Sequence, residues 1–170
     1  MGISSESWDF GDGVGATGSC PAHHYSSDGT YRLTLTVSTE DGRRASTSRD
    51  VVVRTHDVAV ATLSVPQAAT VGQACTISVG LTNGRYPETV QVALLKSIVG
   101  EGWAQVGELM QDVPVRDGGG AANLGFDYTF VPQDAQLGTV SFQAIATIQG
   151  ARDAAPGDNT LVSPATRVTG

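Results

Sequence analysis

The segment Trp8-Asp9-Phe10-Gly11-Asp12-Gly13, with the alternating run Tyr31, Leu33, Leu35, Val37 that follows it, constrains the fold of this chain more than any other stretch. Trp8 and Phe10 stand two apart and project to one side of an extended segment. Gly11-Asp12-Gly13 then supplies the φ > 0 positions and Asx-type hydrogen bonding that a tight reversal needs. In the alternating run Arg32, Thr34 and Thr36 take the other face, the period of a half-buried antiparallel strand. Asp41-Gly42 predicts a second turn, and the β-rich segment from Ser46 to Arg54 predicts the returning strand.

Around Arg54-Thr55-His56-Asp57 this pattern stops and another begins, so the expected domains are 1–55 and 56–170. Strand signals separated by turn residues follow one another. Val58 to Val65 ends at Pro66; Cys75, Ile77, Val79 and Leu81 alternate up to Asn83-Gly84; Val90, Val92 and Leu94 follow Pro87. A looser stretch from Val106 to Val115 runs into Asp117-Gly118-Gly119-Gly120, which reads as a mobile loop. Leu124, Phe126, Tyr128 and Phe130 share one face and are answered by Val140, Phe142, Ala144, Ala146 and Ile148, the expected central pair of the core. Only Gln133-Asp134-Ala135 suggests a helical turn. The fold class is all-β: two tandem Ig-like antiparallel β-sandwich modules.

Residues 5–54 resemble the PKD (polycystic kidney disease) repeat, an Ig-like β-sandwich marked by W-D-F-G-D-G, then H-x-Y, then G-T-Y-x-V-x-L-x-V. Trp8 to Gly13, the pair His23 and Tyr25, and the strand opening Gly29-Thr30-Tyr31 hold those positions. Such a repeat normally has further strands before its tryptophan, whereas this chain starts at Met1, so its first sandwich is expected to be incomplete at the N-terminus. Its apolar face would then be covered by the second half of the chain, a second copy, or upstream sequence. Residues 57–168 resemble the CARDB family (cell adhesion related domain found in bacteria), through Asp57-Val58-Ala59-Val60, Val71-Gly72-Gln73 and the closing turn Asp158-Asn159-Thr160. Both resemblances imply non-catalytic extracellular or cell-surface modules that act as spacers and protein-interaction or adhesion units. The alternative they leave open is a carbohydrate-binding accessory module of a secreted enzyme.

Composition narrows the partners. A chain of 170 residues, 40% apolar and 6% aromatic, supports one or two modest cores. The net charge of −7 offers no cationic surface to a nucleic-acid backbone or an anionic membrane. No apolar run reaches the roughly 18 residues of a membrane span, and any export signal lies outside this chain. A protein partner or second copy, and a polysaccharide, are the partners left. Cys20 and Cys75 are too few for a disulfide framework; Cys75, in phase with Ile77, reads as a buried strand residue.

Few residues invite chemistry, and no cofactor is expected. Asp9 and Asp12 have the composition of a carboxylate pair but the setting of a turn. His23-His24 face opposite ways on an extended segment and lack a third ligand. His56 reads as a solvated junction residue, and no G-x-S-x-G elbow is present. Asp153 and Asp158 bracket Ala154-Ala155-Pro156-Gly157 in the manner of a weak calcium site, although turn chemistry alone accounts for the spacing. Trp103, in the glycine-flanked stretch Gly100–Ala104 between strands, reads as a ring that folds back to cap the sandwich edge; the other reading makes it a sugar-stacking ring, with Arg116 and Asn123 as further ligand contacts.

Overall fold

The computed structural model describes residues 2–100, 102–116 and 120–170. Over these residues the chain is all-β, with one short helix, and it divides into two compact units, Met1–Thr55 and His56–Gly170.

Unit 1 is one antiparallel sheet. Its strands are β1 (Ile3–Asp9), β2 (Gly15–Thr17), β3 (Gly29–Thr39) and β4 (Arg44–Val53), in the order β2-β1-β3-β4. The β1–β2 reversal uses Gly11 and Gly13 at φ of 81° and 88°, backbone that L side chains rarely adopt. Register places Trp8 opposite Leu35, Leu35 opposite Thr47 and Leu33 opposite Arg49. Trp8, Leu33 and Leu35 therefore share a face, and within the unit no second sheet of described residues covers it. Among the described residues of unit 1 the buried hydrophobic one is Phe10, just past β1.

Unit 2 is a sandwich. One layer holds β5 (Val58–Ser64), β7 (Ala74–Asn83) and β10 (Ala122–Thr129), ordered β10-β7-β5. The other holds β8 (Glu88–Ser97), β9 (Trp103–Val113), β12 (Phe142–Ile148) and β13 (Thr160–Val162), ordered β13-β12-β8-β9. A small third sheet joins β6 (Ala68–Thr70), β14 (Thr166–Thr169) and β11 (Thr139–Val140), with β14 running parallel to β6. The helix α1 (Pro132–Leu137) starts with proline, and Gly138 ends it in the left-handed region while donating its N–H to Asp134 and Ala135 carbonyls. Alternating residues of the two layers, among them Ile77, Val79, Leu81, Val90, Val92, Leu94 and Phe142, make a continuous core that Phe130 just past β10 and Val140 of β11 join.

The runs ending at Phe130 and Ile148 both line the core, from opposite layers: β10 is bonded to β7 and β12 to β8, and the two meet across the core, where Tyr128 and Phe142 lie edge to face at 5.2 Å. Two local expectations change. The loose stretch after Val106 is the later part of an eleven-residue strand, β9, in which Glu108 to Asp112 are all exposed and Val113 is buried. Cys75 is only partly buried, and both cysteines are free. The glycine loop and the tip before Trp103 each fall in part on residues outside those described, namely Asp117 to Gly119 and Glu101.

Candidate functional site

Three places combine polar chemistry with defined geometry. The first is the turn of unit 1. Asp9 Oδ1 accepts the N–H of Gly11 at 2.9 Å, and Asp12 Oδ1 accepts that of Val14 at 3.1 Å. The other Asp12 oxygen lies 2.8 Å from His23 Nε2. Burial alone would raise the Asp12 carboxyl; the His23 contact and the backbone hydrogen bonds outweigh it and hold the group below its usual value. His23 stacks on Phe10 with centroids 4.0 Å apart, meets Tyr25 edge-on at 4.6 Å, and Tyr25 stacks on Tyr31 at 4.2 Å. The Tyr25 hydroxyl donates to the Phe10 carbonyl at 3.0 Å. These carboxylates and the imidazole are engaged in folding the turn. Beside them, a depression of about 270 Å³ is lined by Trp8, Leu33, Leu35, Thr47, Ser48 and Arg49 on the apolar sheet face.

The second place is a buried network in unit 2 that local sequence did not announce. Lys96 of β8 reaches across the core, placing Nζ 2.6 Å from Asp134 Oδ1 and 2.8 Å from the Tyr128 hydroxyl, which itself donates to Asp134 Oδ2 at 2.6 Å. The Val131 N–H adds a fourth bond at 3.0 Å, and the Asp134 side chain is 0% exposed. Burial works against both charges. The hydrogen bonds of Asp134 with Lys96, Tyr128 and Val131 nonetheless hold the acid below its usual range, and those of Lys96 with Asp134 and Tyr128 hold the amine above its own. The network pins Lys96 of β8 to Asp134 of α1 and Tyr128 of β10. It borders a mostly apolar pocket of about 350 Å³ that Ile98, Val99, Val131 and Leu137 also line.

The third place is the entry to unit 2. Asp57, Asp153 and Asp158 each present a carboxylate oxygen, all within 4.8 Å of one another. Asp153 is fixed by two backbone donors, Val58 N–H at 3.1 Å and Ala155 N–H at 2.7 Å. Burial first, then the charges of Asp158 and Asp153, push the Asp57 carboxyl up, and Arg85 offsets part of this. Close by in the chain, His56 is not a solvated junction residue: its Nδ1 lies 2.6 Å from Glu88 Oε1, on a side chain only 5% exposed.

The sugar-contact candidates do not converge. Trp103 opens β9 instead of standing in a loop, and it is 39% exposed. Arg116 lies beyond the opposite end of that strand, where its N–H bonds to the Asn83 carbonyl. Ten residue steps of strand separate the two ends, about 33 Å. Asn123, paired with Gly80 across β10 and β7, belongs to the Arg116 end.

Residues 1–54 match the family model of the PKD domain. The PKD-matched stretch is thus the first unit, with its turn, its aromatic stack and its single sheet. A microbial collagenase of Vibrio alginolyticus is 30% identical to this chain over 131 residues, 75% of this chain and 14% of that protein. The chain therefore spans about one seventh of that relative's length. Among solved structures, a CARDB domain from Pyrococcus furiosus, determined in complex with di-metal ions, superimposes with a TM-score of 0.54 at 11% identity, covering 71% of this chain and 95% of that one. Fibronectin(III)-like modules of CbhA from Clostridium thermocellum match with a TM-score of 0.37 at 15% identity, over 98% of this chain and 77% of theirs. Likeness to the CARDB domain extends the Ig-like β-sandwich reading over most of the chain.

Proposed function

We propose that this chain is a non-catalytic pair of Ig-like modules within a larger secreted or cell-surface protein, spacing its parts and docking a protein through the apolar face of the PKD-matched unit. The observation that carries the reading is that face: Trp8, Leu33 and Leu35 stand together on a sheet with no opposing layer among the described residues of its own unit. Sheets of this class bury one face against another layer, so a half-buried apolar face is a surface ready for a partner. The PKD match and a collagenase relative of which this chain spans only 14% support an accessory role outside the cell. No described helix is long and apolar enough to cross a membrane.

A second copy of the chain is the partner to test first. Light scattering across a wide concentration range is expected to report a dimer that Leu35→Lys converts to monomer. A parent that stays monomeric and binds no apolar dye on this face overturns the docking role. A second reading, glycan retention, has the exposed Trp103 ring in its favour. It is tested on polysaccharide-loaded gels, where retention of the parent and its loss in Trp103→Ala are expected; free passage of the parent removes this reading.

A further inference from the structure

We infer that Asp57, Asp153 and Asp158 form a divalent-cation site, with Ca²⁺ as the ion it takes. The three residues come from two chain segments almost a hundred residues apart and converge through folding alone. Their oxygens lie within 4.8 Å of one another. Oxygens bonded to one Ca²⁺ ion stand at most about 4.6–5.2 Å apart, twice the usual bond length, so this spacing lets all three carboxylates reach one Ca²⁺ ion.

Orphaned oxygens point to a ligand independently of the clustering. Among the described residues two buried side-chain oxygens lack a hydrogen-bond partner: Asp57 Oδ1, inside the cluster, and Oδ1 of Asn159, the chain neighbour of Asp158. Asn159 is only 8% exposed. Buried oxygens without partners are rare because each forfeits its hydration, and a cation supplies what the protein does not. Asp153 is already oriented by the Val58 and Ala155 amides, and each of its oxygens keeps a lone pair. The donor set is entirely oxygen, the preference of hard cations.

The site ties the start of β5 to the loop before β13, so occupancy should be read in stability as well as in heat. Ca²⁺ alone is titrated into the chelator-treated full chain by calorimetry and by thermal unfolding, with Mg²⁺ as comparison. The expected result is saturable binding with a Kd of about 10⁻⁴–10⁻³ M, as in other extracellular modules, and a raised unfolding midpoint for unit 2. Asp57→Asn keeps the side-chain volume and removes one charge; Asp158→Asn alters an exposed side chain. Each should weaken Ca²⁺ binding at least about tenfold while unfolding cooperatively in chelator. A parent midpoint unmoved by about 10 mM Ca²⁺, ten times the weakest expected Kd, overturns the site, as does binding that both variants retain at parental strength.

Discussion

Gly11 shows how much of unit 1 depends on one backbone position. Its φ is 81°, and a Cβ built there would stand 2.7 Å from the Arg32 nitrogen and 2.8 Å from its oxygen. Gly13 has a similar φ of 88° but open space around the added atom. Gly13→Ala should cost only the left-handed penalty, about 1–2 kcal/mol. Gly11→Ala should cost clearly more, because a backbone clash is added and the strand must shift. Trp8 and Trp103 are the two tryptophans, one in each unit, so Trp8 fluorescence in a Trp103→Phe background follows urea unfolding of unit 1 alone. Equal midpoints for the two alanine variants would refute the close approach. The sequence already marked both glycines as turn residues; which of them faces a neighbouring strand is a fact of the β1–β3 register.

At the scale of elements, the bond network of β8, β10 and α1 sets the pH limits of unit 2. Asp134 titrates below its ordinary value of 3.8, so its contribution is complete above that pH and is lost as pH falls through the lower folded-state value. Lys96 titrates above its ordinary 10.5, so its contribution is complete below that pH and is lost as pH rises through the higher one. Unit 2 should therefore weaken below about pH 4 and again above about pH 10.5, and Lys96→Met combined with Asp134→Leu should flatten both limbs in denaturant titrations at a series of pH values. Asp134→Ala alone leaves the Lys96 charge without its main partner and is expected to cost about 3–5 kcal/mol, more than the double variant. Similar losses for single and double variants would show that the pair acts as two independent contacts. Only the helical turn holding Asp134 was legible beforehand, since Lys96 and Tyr128 meet it through contacts 38 and 6 residues away in the chain.

Across the whole molecule the two units differ in what they bury. Unit 2 closes two layers over Phe130 and Phe142, both fully enclosed, and Phe142→Ala should cost about 3–5 kcal/mol. Leu35→Ala on the half-buried face of unit 1 should cost about 1 kcal/mol. With one sheet and about 55 residues, unit 1 has too little buried surface for high stability on its own. It should unfold at lower urea than unit 2, with the Trp8 signal moving before Trp103. A docked partner should bring the two transitions together, and a single transition in the isolated monomer would contradict this division.

Alternation, turn residues and the Trp8–Gly13 and Gly29–Val37 segments were enough to determine the all-β class, most strand positions and the apolar face of unit 1, because period and turn chemistry act over a few neighbouring residues. Tertiary structure decided the rest. It placed β10 and β12 in opposite layers, parted Trp103 from Arg116 and Asn123, and brought Asp57 beside Asp153 and Asp158. Each of those outcomes depends on which distant strands pair, and no local pattern carries that choice.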